Sequence, residues 1–349
     1  MKKLYLIISL LLTICTLFAC AKENYELIDL NFENHLNTKC TITLEYNTKT
    51  TNAKTIQNDL NQKVENILTT IQNEFGIIDE INNNAGLLNE DNSFKYTKVS
   101  NEFMRILKLC IDMGSNDDFK YYNITDGVLK ALWNQTVPSK EQIDKTLPLV
   151  NAANIIVDSQ NNGVYLKEKG MQIDLSSIVR GYATELIKNM LKENNYKFFK
   201  ITIGDNIYVE GESKHYEAKG EKLYTELVNP FDENKNYIKI KAENYFISTI
   251  YRYQNYQEID GIKYSSIINP TTGYPVDNLI ESITVLGNKG DVTDAICYAC
   301  YNMPLRTAID FLSEQGFKGI IISKTKQIYM VGNFEYELID SEFKITERK

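Results

Sequence analysis

The chain has 349 residues, 43% of them hydrophobic, which is enough to bury a sizeable core as one large domain or two lobes. Its net charge of −8, with no long basic block, argues against a nucleic-acid partner. The only histidines, His35 and His215, argue against a histidine-rich metal centre or a Ser-His-Asp triad.

At the start, Lys2 and Lys3 precede an apolar run from Leu4 to Phe18, broken by polar Ala21-Lys22-Glu23-Asn24. That run falls short of the roughly 20 apolar residues of a membrane span and describes an export signal. Cys20 directly follows Leu17-Phe18-Ala19, which resembles a bacterial lipobox, whose cysteine becomes the lipidated first residue of the mature chain. The expectation is therefore a signal peptide over 1–20, a tether over 21–37 and one domain over 38–349. Lipid on Cys20 would hold it to the outer face of the cytoplasmic membrane, the periplasmic side where an outer membrane exists. Cys40, Cys110, Cys297 and Cys300 read as buried free thiols, since a Cys297/Cys300 spacing within a helix seldom makes a structural bridge.

From there, Cys40 to Tyr46 alternates as a strand. Leu60, Val64, Ile67, Leu68, Ile71 and Phe75 recur at helical spacing over 58–75. A second amphipathic helix is predicted over 100–113 with Ser100 as its N-cap. Tyr122 to Leu129 runs into Leu132-Trp133, the only tryptophan, and a short helix is expected within 134–150. Residues 155–157 and 164–166 read as a hairpin through Asn161-Asn162-Gly163. Asp174-Leu175 then enters Ser176-Ser177 and a helix to about Glu193, a serine-capped junction suited to an anion such as phosphate.

Strands are predicted over 198–203 and 207–209 around the turn Gly204-Asp205-Asn206, then over 246–249, with shorter strand-like pieces between 212 and 244. Asp260-Gly261 is a turn, a β-like run covers 263–268, and Asn269-Pro270 with Gly273-Tyr274-Pro275 forces a rigid loop. A strand over 280–286, a helix from Asp291 to Asn302, a helix over 305–315 and a β pair over 319–323 and 327–331 complete the chain. Helices and hairpins interleave without βαβ repeats, so the fold class is α+β.

These blocks, in this order from Leu36 to Val331, resemble the FAD:protein FMN transferases, the ApbE flavin transferase family. Ile124, Thr125, Gly127, Leu129, Leu132 and Trp133 keep the family's Phe-Asp-Ile-Thr-Val-Gly-Pro-Leu segment and its closing Leu-Trp. Asp174 to Ala183 matches Asp-Leu-Gly-Gly-Ile-Ala-Lys-Gly-Tyr-Ala, with Ser176 and Ser177 for the glycines and Arg180 for the lysine. Gly204 to Ile207 matches Gly-Gly-Asn-Ile, Ser248 to Tyr256 the Ser-Thr-Ser-Gly-Asp-Tyr-Glu-Arg-Tyr block, and Ser265 to Pro275 the His-His-Ile-Ile-Asp-Pro-x-Thr-Gly-Tyr-Pro loop. Thr293 to Ala299 matches Ala-Asp-Ala-Leu-Ala-Thr-Ala, and Thr38 is what remains of Met-Gly-Thr.

The resemblance implies a two-lobed domain, with largely antiparallel sheets, that splits FAD with Mg²⁺ or another divalent cation and attaches FMN to a threonine. The acceptor would be an exported or membrane redox subunit. It implies metal ligands at the Val179 carbonyl, Asp294 and position 298, where Tyr298 replaces threonine. A phenol is a longer arm and a poor neutral ligand. Arg180, Ser266 and the helix start near Ser177 would hold the pyrophosphate, with Asp294, Arg180 and Ser266 as the catalytic set. Thr38, Thr125, Asn206, Thr249, Tyr251, Asn269, Pro270, Thr272 and Gly273 would line the FAD pocket.

Several positions depart from the pattern. Ser266 stands for a histidine, Asn269 for an aspartate, and Ile250-Tyr251 for Ser-Gly. Arg252 replaces an aspartate and could pair with phosphate. Asp205 replaces a glycine, either repelling phosphate or offering a substitute metal ligand. Tyr251, Tyr253 and Tyr256 also read as strand-face core. Two alternatives follow: a flavin- or partner-binding lipoprotein without transfer, and an FAD pyrophosphatase giving FMN and AMP.

Overall fold

A computed structural model describes residues 24–116, 119–134 and 136–348; the expected signal peptide over 1–20, with Cys20, lies outside the described residues. Nine strands form one sheet: β1 (Tyr25–His35), β2 (Thr38–Asn47), β3 (Phe199–Ile203), β4 (Asn206–Glu210), β5 (Phe246–Tyr251), β6 (Ile280–Gly287), β7 (Lys318–Ser323), β8 (Gln327–Val331) and β9 (Lys344–Arg348). They lie side by side in chain order. Every neighbouring pair is antiparallel except β8 with β9.

Successive side chains of a strand point to opposite faces, so apolar strands feed two cores at once. Ile320 and Ile322 of β7 join Ile328, Met330 and Leu286 on one face, under a three-stranded sheet of Thr225–Asn229, Asp232–Ile240 and Tyr336–Leu338. Ile321 faces the other way with Ile283 and Val285, into the larger core beneath the helices. This is an α+β fold, as the interleaving of predicted elements implied.

The helices that frame the core and the site are α1 (Ala53–Phe75), α2 (Asn101–Gly114), α3 (Gly127–Trp133), α4 (Val179–Glu193), α5 (Gly290–Asn302) and α6 (Leu305–Glu314). In α1 the residues Ile56, Leu60, Val64, Leu68 and Ile71 are all buried. Each such side chain contributes on the order of 1.5–3 kcal/mol of transfer free energy. Asn52 caps α1 through Thr55 N–H, and Ser100 caps α2 through Phe103 N–H at 3.0 Å. Within the 134–150 connection, the short helix is Lys140–Thr146, opened by a Ser139/Gln142 capping box. The four described cysteines are buried and free.

One expected boundary is corrected. Most of the 21–37 segment is not a tether: Tyr25–His35 is the edge strand β1, with Leu30 and Phe32 buried while Asp29, Asn31 and Glu33 face out. Charges on an outer strand discourage pairing with another chain, and they also mask the strand in the sequence.

The Asn269–Pro275 loop is held by a third, smaller core. Trp133 packs there with Leu129, Ile143, Ile259 and Ile268, and its Nε1 donates to the Gly273 carbonyl at 2.8 Å. Gly273 sits at φ +74°, and a Cβ there would come within 2.6 Å of Ile143 Cγ2. Only glycine satisfies both demands.

Candidate functional site

The N-terminus of α4, the β3–β4 turn, the end of β5 and one face of α5 enclose a cavity of about 610 Å³. Asp294 sits at its floor, 4% exposed. One carboxylate oxygen accepts the Gly181 N–H at 2.7 Å and the other accepts the Asn206 amide. A helix leaves its first N–H groups without intrahelical partners, and here the cap of α4 comes from a different helix. The serines do not cap it: the residue at the cap is Ile178, with no side-chain bond. Burial pushes the Asp294 carboxyl up to about 6, against hydrogen bonds from Ser248, Gly181 and Asn206 that favour the charged form.

α4 and α5 meet backbone to backbone. A Cβ on Gly181 would lie 2.2 Å from the Gly290 carbonyl oxygen, and one on Gly290 would lie 2.0 Å from that of Gly181. Gly204, at φ +57°, makes the β3–β4 turn, where an added Cβ would come to 3.0 Å from Thr38 Oγ1 and 3.3 Å from Arg180 Nη1. Arg180 therefore lies along this turn. Among the described residues it has no carboxylate within ion-pair distance, which leaves its guanidinium to the cavity. Asp205 lines the same wall, its carboxyl raised by burial despite the Arg180 charge and a Gln254 hydrogen bond.

One turn along α5, the second end of the cavity is built from ions. Tyr298 Oη donates to Asp126 Oδ2 at 2.9 Å. Lys130 Nζ meets Asp126 Oδ1 at 3.1 Å and Asp174 Oδ2 at 2.7 Å, and it lies 5.1 Å from the Tyr298 ring centre. Asp126 and Lys130 are one helical turn apart, and Asp174 is oriented by accepting the Ser176 N–H at 2.7 Å. Burial lifts Asp126 to about 6. It would lift Asp174 as well, but the Lys130 ammonium outweighs it and Asp174 stays below the usual carboxylate range. For Tyr298, burial and then the Asp126 charge push the phenol far up, so it remains a neutral donor.

Of the residues assigned from sequence, Thr38, Ser177, Arg180, Asn206, Thr249, Ser266, Asp294 and Tyr298 line this one cavity. The others do not. Thr125 is buried, its hydroxyl donated to Asn123 at 2.7 Å. Val179 opens α4 as its first residue. Tyr251 is buried against Tyr253, which favours the strand-core alternative for that residue. Arg252 pairs with Asp277 at 3.3 Å instead of facing phosphate, because Asp277 follows the rigid loop that ends beside β5.

Asn269 and Thr272 line a second cavity of about 530 Å³ with Tyr121 and Pro304. Pro270 and Gly273 are buried within the loop itself. Sequence reasoning gave no role to Lys130, Asp126 or Ser248. Two opposite charges four residues apart inside the apolar run from Ile124 to Trp133 were the available signal for the first two.

A divalent cation fits this donor set poorly. Mg²⁺ favours carboxylate oxygens in near-octahedral geometry. Both Asp294 oxygens already accept hydrogen bonds, the Tyr298 hydroxyl is committed to Asp126, and a fixed ammonium stands beside the phenol. Among the described residues no three His, Cys, Asp or Glu side chains converge as a metal cluster.

Comparison with known proteins locates this architecture. The ApbE family profile matches residues 36–321. The FAD:protein FMN transferase of Klebsiella pneumoniae is 25% identical over 235 residues, covering 63% of this chain and 71% of that protein. The protein of the same name from Buchnera aphidicola subsp. Baizongia pistaciae is 23% identical over 280 residues, covering 77% and 80%. Among solved structures, the ApbE protein of Thermotoga maritima superposes with a TM-score of 0.72 at 20% identity, covering 89% of this chain and 96% of that one. The flavin transferase ApbE of Vibrio cholerae gives 0.66 at 20% identity, covering 92% and 99%. These structures share the α+β fold.

Proposed function

This chain belongs to the ApbE family, and from that premise we propose that it transfers FMN from FAD to a threonine of an exported or membrane redox protein. The observation that supports this best is the convergence of Arg180, Ser177, Asn206, Thr249, Ser266 and Asp294, from separate segments, around one cavity. In this reading Arg180 and the start of α4 near Ser177 hold the pyrophosphate, as guanidinium forks and helix N-termini hold phosphate oxygens. The acceptor's threonine oxygen attacks the FMN phosphorus, the bond to the AMP oxygen breaks, and AMP leaves. Asp205, raised by burial and facing the cavity, takes the threonine proton. Asp294 acts by position, tying α4 and β4 to α5. No step is routed through a divalent cation, because Tyr298, at one of the implied ligand positions, is committed to Asp126.

The export signal and Cys20 support a lipid-anchored chain on the outer face of the cytoplasmic membrane, where a membrane redox subunit would be within reach. No helix among the described residues is long and apolar enough to cross a membrane.

A second reading, flavin binding without transfer, is favoured by one observation: the hydroxyl at position 298 is locked to Asp126. Incubating the full chain in mild detergent with FAD and a threonine-bearing acceptor separates the two. Transfer gives covalent flavin fluorescence on the acceptor in a denaturing gel, with one AMP released per flavin. Bound FAD with neither product leaves the binder, and AMP without labelled acceptor indicates hydrolysis.

A further inference from the structure

We propose that Lys130, held by Asp126 and Asp174, is the fixed cation of this cavity, and that the chain binds the pyrophosphate of FAD without a divalent metal ion. The inference rests on the flavin dinucleotide reading above. An ammonium has three N–H donors and no acceptor. Two of these donors meet Asp126 and Asp174, and the third has the Tyr298 hydroxyl and the cavity before it. The side chain is 23% exposed, so it is neither sealed in the core nor free to swing in solvent.

A lysine with no such duty would extend to water, since burying an ammonium costs several kcal/mol unless partners repay it. Here two carboxylates and a phenol hold it at the wall, and charge-assisted bonds to phosphate are what such a donor can make. The Tyr298 hydroxyl is committed to Asp126, so position 298 offers a cation no free oxygen, and each Asp294 oxygen already accepts one hydrogen bond. Asp126, Lys130 and Tyr298 form one unit. The phenol satisfies the second oxygen of Asp126, and Asp126 in turn anchors the ammonium.

The test is equilibrium dialysis of the full chain, in mild detergent, against FAD in Mg²⁺ and again in EDTA. The two isotherms are expected to coincide, and Lys130→Met is expected to weaken both by roughly tenfold to a hundredfold, the loss typical of one hydrogen bond to a charged group. FAD binding that EDTA abolishes overturns the inference while the flavin reading stands. No FAD binding in either buffer removes the flavin reading itself, and this inference with it.

Because Lys130→Met strands two carboxylates, a second variant removes the unit whole: Asp126→Val with Lys130→Val and Tyr298→Thr. It should bind FAD only with Mg²⁺. With Mn²⁺ as the spin probe and FAD present, its electron paramagnetic resonance spectrum should show a bound ion, where the unaltered chain shows only free ion. Metal-free binding by the triple variant equal to that of the unaltered chain overturns the role of Lys130. So does a bound Mn²⁺ signal in the unaltered chain that Asp294→Asn abolishes.

Discussion

The two ends of the cavity sit one turn apart on α5 and satisfy their buried acids by opposite means. Asp294 is surrounded by neutral donors, a backbone N–H and an amide. Asp126 is held by an ammonium and a phenol. Neutral donors offset only part of the burial cost of Asp294, whereas the Lys130 ammonium reverses that cost at Asp174, though not at the more deeply buried Asp126. The Asp294 end therefore works as a fastening between main-chain segments, and the Lys130 end as a fixed charge.

The largest expected effect comes from breaking the ionic end. Lys130→Met leaves Asp126 and Asp174 without their cation and should lower stability by about 4 kcal/mol, seen as a lower urea midpoint at unchanged slope. An unchanged midpoint would mean that the three ions are not coupled.

At the other end, pH is the probe. The Asp294 carboxyl is raised from 3.8 to about 6 in the folded chain. Its contribution to stability is therefore present below about pH 4 and lost as pH rises through about 6. Asn at this position suffers no such loss. The stability of Asp294→Asn relative to the unaltered chain should improve by about 3 kcal/mol from about pH 4 to about pH 7.5. Paired calorimetric scans at the two pH values measure it; a flat difference would mean that the carboxyl is not raised.

Tyr298→Phe removes one donor from Asp126 and keeps the ring beneath Lys130. It should cost about 1.5 kcal/mol in the same urea titration. The smallest effect belongs to Arg252→Ala, whose Asp277 partner is largely exposed: about 0.5 kcal/mol of stability and no change in FAD affinity. A clear loss of affinity would return Arg252 to the phosphate site that the sequence suggested.

What could be read from the sequence follows from how local each signal is. α1 was legible because its buried residues recur every three to four positions along one face. β1 was not, because an edge strand buries one face only and carries charges on the other. In the cavity, Arg180, Asn206, Thr249, Ser266 and Asp294 were recognisable from short motifs whose order along the chain persists. The ionic end was not, since Tyr298 meets Asp126 across 172 positions and neither residue belongs to the motif the other disrupts. Arg252 misled for the complementary reason: its charge was plain, but its direction depends on Asp277, which arrives with a later strand.

The glycine contact between α4 and α5 has a consequence for how such a site can diverge. Where two helices touch glycine to glycine, their spacing is set by the backbone, and here the Asp294 and Glu185 carboxylates only fasten it. A lineage can then swap a hydroxyl for a phenol and add a lysine with its two counter-charges, re-lining the vessel without re-casting it.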